Sequence, residues 1–207
     1  PIFDTHEPGG TNYGEALRAL LKHPKTTFEA LQKTFADHED FNPTTWQKIS
    51  IARTPWTEIF LFLAARAEFI DKIVLPKISL GVNVISDRLS DSTRAYQGGG
   101  HFYSRPEMIK AINRNNHFAL QNLEPALTFL LDISVEEMQR RAKLAGTKSD
   151  AYFEQLGTSI FERVRQEYLC IHEEEPMRVI LIDGSQSKAK IFAEIKTRCD
   201  KLFNLKS

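Results

Sequence analysis

The order of segments along this chain predicts an α/β fold with a largely parallel sheet, and three observations carry that prediction. Short apolar runs of strand length end in an acid: residues 82–86 before Asp87, 127–131 before Asp132, and 178–182 before Asp183. Longer segments between them place apolar residues at helical spacing. Stop and start signals fall at the joints, with Gly81 after one helical run and Ser134 before another. Strand, helix and strand in alternation imply parallel pairing through right-handed crossovers.

Residues 1–5 read as a strand and His6–Thr11 as a turn. Pro8 restrains Glu7, and Gly9 and Gly10 permit positive φ or close backbone approach. Thr11 or Asn12 caps a helix whose Ala16, Leu17, Leu20 and Leu21 share a face. Residues 23–53 are more polar. Phe28, Leu31 and Phe35 suggest a short helix that Asn42-Pro43 breaks, and the segment reads as an insertion or as a solvated helical hairpin. A long apolar helix is expected over 57–80, then the strand 82–86 and a loop in which Gly98–Gly100 give mobility or let a ligand approach closely. Another helix covers 106–121. Ser134 with Glu137 forms a capping box, a basic loop occupies 140–150, and helices over 152–172 and 188–202 flank the strand 178–182.

The 207 residues suit a single domain, and 27 basic residues cancel 27 acidic ones, so nothing global points to nucleic acid. The two cysteines, Cys170 and Cys199, lack metal-ligand spacing and fit a reducing, cytoplasmic setting. No apolar stretch reaches membrane-spanning length.

Chemistry is expected beyond the carboxyl ends of the strands, where such sheets bind ligands. Glu7 and Pro8 follow the first strand, with Arg18 one to two helical turns beyond. Phe62 and Arg66 lie four apart on the long helix and share a face, so a ring can stack while the guanidinium bonds an edge. Read singly, Phe62 is a core residue, but Arg66 in so apolar a stretch needs an acid or a ligand. Asp87 and Arg88 supply phosphate and metal chemistry, and Thr93, Tyr96 and Gln97 follow on the loop.

Taken in order, Glu7–Thr11, Arg18, Phe62 with Arg66, Asp87-Arg88, Ser92–Gly98, and Pro125–Thr128 running to Asp132 resemble the thymidylate kinase family of bacterial type. The resemblance implies a nucleoside-monophosphate-kinase fold of the P-loop class and transfer of the ATP γ-phosphoryl group to dTMP. It implies that Phe62 stacks on thymine, Arg66 bonds a base carbonyl, Thr93 and Gln97 read the remaining edge, and Tyr96 packs near the deoxyribose. Arg18 and Arg88 would hold the dTMP phosphate, oriented by Glu7 and Asp87, with Asp87 reaching Mg²⁺ through water. Arg140, Arg141, Lys143 and Lys148 resemble a lid (140–151) over the ATP phosphates, and Asp183-Gly184 the adenine-side loop. A cytoplasmic homodimer without nucleic-acid or membrane partners is the corresponding expectation.

Three departures accompany the likeness. No Gly-x-x-x-x-Gly-Lys-Ser/Thr loop for ATP phosphates occurs among the 207 residues. Pro1 opens inside an apparent strand, so the expectation is a truncated chain lacking the family's first, central strand. His6 replaces the arginine that usually opens the Glu-Pro-Gly-Gly turn, and Tyr152 stands where the lid arginine is expected. A non-catalytic dTMP-binding module is therefore the competing expectation.

Overall fold

Ile2–His6 (β1) and Asn83–Asp87 (β2) form a parallel pair in the register Ile2 with Asn83 and His6 with Asp87. They belong to a computed structural model that describes residues 1–34, 36, 54–144 and 157–204. Within it Pro1–Leu123 and Glu124–Ser207 are two compact units. Among the described residues the strands make two separate parallel pairs, β1–β2 in the first unit and β3–β4 in the second, where the sequence suggests one continuous sheet.

In the first unit the β1 ladder extends one step as Glu7 N–H donates to the Asp87 carbonyl at 3.0 Å. The Glu7–Pro8 peptide is cis, and Gly9 and Gly10 have positive φ, a backbone region that favours glycine. Thr11 then caps α1 (Asn12–Lys22), its hydroxyl accepting from Gly14 N–H at 2.9 Å. Helix α2 (Pro24–Thr34) follows. The expected break at Asn42-Pro43, and most of the 23–53 insertion, lie outside the described residues.

Thr54 caps α3 (Pro55–Phe69), with Pro55 where a helix needs no N–H. The expected long helix is present but not uniform. Over Ile70–Val74 it widens to a π-helical turn, with Leu75 N–H bonding the Ile70 carbonyl, and α4 (Leu75–Ser79) completes it. Pro76 has no N–H to donate, which makes this a place where regular α-bonding cannot continue. Gly81 (φ 72°) ends the run, donating to Ile78 while Val82 donates to Lys77, the paired closure of a Schellman motif.

After β2, α5 (Ser90–Thr93) continues into a π-helical stretch, Arg94–His101. Of the two expectations for Gly98–Gly100, a mobile loop or close approach of a ligand, the first is corrected. Gly98, Gly99 and Gly100 are buried and helical, and a Cβ on Gly98 would lie 2.5 Å from Ile109 Cδ1. Helix α6 (Pro106–Ala119) packs over them. Ile59, Leu63, Phe102, Ile112 and Ala119 form one core cluster, and Phe69, Ile70, Val74 and Leu120 another.

In the second unit β3 (Thr128–Asp132) pairs in parallel with β4 (Val179–Asp183), so Asp132 and Asp183 stand side by side at the carboxyl ends. Helices α7 (Val135–Leu144), α8 (Thr158–Glu174) and α9 (Lys188–Leu202) complete it. The capping box is half present. Ser134 Oγ accepts from Glu137 N–H at 3.2 Å, but the Glu137 carboxylate turns to arginines one helical turn on.

Candidate functional site

Three residues on α3, Glu58, Phe62 and Arg66, are spaced by four and lie along one stripe of the helix. Two residues after β2, Thr93 and Gln97, are also four apart. Arg66 Nη2 donates to Thr93 Oγ1 at 3.0 Å, and Gln97 Nε2 donates to Glu58 Oε1 at 2.7 Å. Two polar rungs therefore join the helical stretches, and Phe62, only half-buried, falls between them by spacing. An aromatic ring set between a buried cation and a buried acid is poorly suited to core packing and well suited to a planar polar ligand.

Arg66 is the centre of the first rung and is 1% exposed. Its Nη2 also donates to Glu7 Oε2 at 2.8 Å, and its Nη1 to Asn116 Oδ1 on α6. One guanidinium thus ties the turn after β1 to α3, α5 and α6. Burial pushes the Glu7 carboxyl above its ordinary range, and the neighbouring Arg66 charge and hydrogen bond oppose that rise. Glu7 Oε1 and Arg66 Nε are buried without a hydrogen-bond partner. His101 Nε2 stands 3.4 Å from Glu58 Oε1 on the second rung.

The phosphate side is more open. Arg88 has φ 73°, which turns its side chain out of the β2 line, and its guanidinium lies 5.2 Å from the Tyr96 ring centroid. Ser86 Oγ donates to the Arg88 carbonyl at 2.9 Å and holds this bend. Arg18 Nη1 donates to the buried Pro8 carbonyl at 2.7 Å, which places the guanidinium against the Glu7–Gly10 turn. Glu7 therefore pairs with Arg66, where the family resemblance implies that it orients Arg18. Buried beside α3, its carboxylate takes the nearest dehydrated cation. Asp87 is exposed, and among the described residues no group of three or more His, Cys, Asp or Glu could hold a metal. A lone exposed carboxylate suits Mg²⁺ only through its water shell.

In the second unit Arg140 and Arg141 both donate to Glu137, Arg140 Nε at 2.6 Å and Arg141 Nε at 2.7 Å. These bonds hold the Glu137 carboxyl down to about 2. Arg141 Nη1 reaches on to the Gly184 carbonyl at 3.0 Å. Asp183 Oδ1 closes the same turn, accepting from Ser185 N–H and Oγ–H. Arg165 forks onto Asp132 with bonds of 2.6 and 2.7 Å. Lys148 and Tyr152, with most of the 140–151 lid, lie outside the described residues.

Sequence reasoning missed Glu58 and Asn116. Glu58 carried a signal, since an acid in the same apolar stretch demands a partner as Arg66 does. Asn116 carried none, being a short amide in a polar helix.

The thymidylate kinase family model matches residues 46–195. A thymidylate kinase of Nitrosomonas europaea is 36% identical over 196 residues, covering 95% of this chain and 75% of that protein. The chain belongs to the thymidylate kinase family. A thymidylate kinase of Neisseria meningitidis is 32% identical over 200 residues, covering 97% of this chain and 82% of its own length. The fold agrees as well. A crystal structure of thymidylate kinase from Ehrlichia chaffeensis superposes with a TM-score of 0.57 at 22% identity, covering 96% of this chain and 80% of that one. The helix-rich units with small parallel sheets are those of an α/β nucleoside-monophosphate-kinase-like fold. Among the described residues no helix is long and apolar enough to cross a membrane.

Proposed function

We propose that this chain supplies the dTMP-binding part of a thymidylate kinase, which moves the γ-phosphoryl group of ATP onto dTMP to give dTDP. The reading rests on the two rungs, Arg66–Thr93 and Glu58–Gln97, between which Phe62 falls by its four-residue spacing on the helix. In it Phe62 stacks on the thymine, while Thr93 and Gln97 read the base edge. Arg66 serves the base mainly by fixing Thr93, and its unpartnered Nε marks where a further contact is available. Tyr96 packs toward the sugar, with Arg88 over its ring aimed at the dTMP phosphate beside Arg18. Such catalysis works by positioning and charge neutralisation rather than by covalent attachment. Asp87 would hold Mg²⁺ through the ion's water shell, and the ion would supply part of that neutralisation.

Arg140, Arg141 and Lys148 are assigned to the ATP phosphates, and Asp183 with Gly184 to the adenine side. A homodimer in the cytoplasm belongs to the same reading and rests on family resemblance. In a coupled assay with ATP and dTMP no turnover is expected of the 207 residues alone, in which no Gly-Lys-Ser/Thr phosphate loop occurs; turnover would overturn the reading that they supply only the dTMP-binding part.

The binding assignment is tested by Arg88→Ala. Loss of a charge-assisted phosphate contact should weaken dTMP by roughly ten- to hundredfold in calorimetry. Unchanged affinity would remove Arg88 from the site.

A further inference from the structure

The two ends of the Gln97 side chain differ in chemistry, Nε2 donating and Oε1 accepting, and what holds one end decides which end a ligand meets. Here Nε2 is held. It donates to Glu58 Oε1 at 2.7 Å, and both residues are 4% exposed. A carboxylate only accepts, so an amide turned end for end would set oxygen against oxygen where no water can intervene. Glu58 thereby leaves Oε1 as the atom Gln97 can offer to a ligand. The other rung is polarised the opposite way. Thr93 Oγ1 accepts from Arg66 Nη2 at 3.0 Å, so its own hydroxyl proton is directed elsewhere.

We propose that Glu58 is a positioning residue that fixes Gln97 as a hydrogen-bond acceptor and so selects pyrimidines bearing an N–H at ring position 3. Beside Phe62 the site then presents a donor, Thr93 O–H, and an acceptor, Gln97 Oε1. Thymine and uracil carry the complementary pattern, a carbonyl oxygen next to N3–H. Cytosine carries its reverse, an amino group next to an unprotonated N3, and meets mismatched groups at both positions. The inference rests on reading Phe62 as the platform for the base. It adds the residue that sets the polarity of the edge facing it.

The test is the ratio of dTMP to dCMP affinity, measured by calorimetry on the full chain and on Glu58→Gln. The new amide is nearly the same size but offers either an oxygen or an N–H, which frees Gln97 to turn. The expected result is a ratio at least roughly tenfold smaller than in the parent, with dTMP weakened and dCMP not weakened in step, one neutral hydrogen bond being worth about that factor. An unchanged ratio, including equal weakening of both nucleotides, overturns the role of Glu58 and leaves the dTMP pocket standing. Failure of the parent to bind dTMP overturns the pocket itself and the proposal with it. A measurement needing no variant guards against a Glu58→Gln chain that does not fold. dTMP methylated at N3 should bind the parent at least roughly tenfold more weakly than dTMP, and equal affinity overturns the proposal.

Discussion

The two units handle charge in opposite ways. In Pro1–Leu123 the polar side chains Glu7, Glu58, Arg66, Thr93, Arg94, Gln97 and Asn116 are buried, whereas among the described residues of Glu124–Ser207 only Glu167 is. Both units have a parallel pair with an acid at a carboxyl end, Asp87 in the first and Asp132 with Asp183 in the second, so strand ends alone do not distinguish them. The difference lies in the partners. Arg66 bonds residues far away in sequence, while Arg140 and Arg141 bond Glu137 within one helical turn in solvent. Dehydrated pairs hold fixed positions because each lost bond is costly, while solvated pairs exchange readily with water. The first unit accordingly holds its charges in dehydrated, fixed pairs, and the second leaves the Glu137 pairs open to water.

The sharpest way to break this contrast is to remove one cation from each unit. Arg66→Met strands the Glu7 carboxylate, Asn116 and Thr93, and should cost about 3–5 kcal/mol in urea unfolding. Arg165→Met removes a partly exposed pair with Asp132 and should cost about 1 kcal/mol or less. Equal losses would mean that the buried network contributes no more than a surface pair.

A smaller effect asks whether the network depends on close backbone contact. A Cβ on Gly14 would lie 2.8 Å from the Gly9 carbonyl oxygen, in the turn that carries Glu7. Gly14→Ala should therefore cost about 1–3 kcal/mol and weaken dTMP binding, because backbone must move. Gly98→Ala meets only the tip of Ile109, which can rotate, and should cost about 1 kcal/mol or less. The reverse order in thermal melts would place the critical contact at Gly98.

The smallest effect is in pH, and its sign differs between units. Burial raises the Glu7 carboxyl, so the folded state holds that proton more tightly than the unfolded chain. Stability from this group is fully present below its ordinary value of 4.5 and is lost as pH rises through the raised folded value. The melting temperature of the parent, measured relative to Glu7→Gln, should decline over that window. Glu137 is lowered to about 2, so its contribution is present above 4.5 and lost as pH falls toward 2. Relative to Glu137→Gln, the parent should weaken only on acidification. A parent that loses stability toward acid at Glu7 would show that Arg66, not burial, dominates there.

Much of this was legible beforehand. The Thr11 cap, the Gly81 stop, the strands ending at Asp87, Asp132 and Asp183, and the order of site motifs all follow from residues a few positions apart. Gly98–Gly100 misled because a glycine's local freedom says nothing about whether Ile109 and Ile112 close over it. Arg66 needs a partner, yet the sequence leaves open whether an acid or a ligand supplies it.

Residue order by itself therefore determined the strands, most helices, the stop at Gly81 and the turn carrying Glu7, since dihedral preference and hydrophobic period act within a few residues. Tertiary structure alone decided which charge meets which. Arg66 finds Glu7, Asn116 and Thr93 at separations of 59, 50 and 27 residues. Those choices are made when water is excluded, because a buried charge must take whatever partner the packed chain brings within reach.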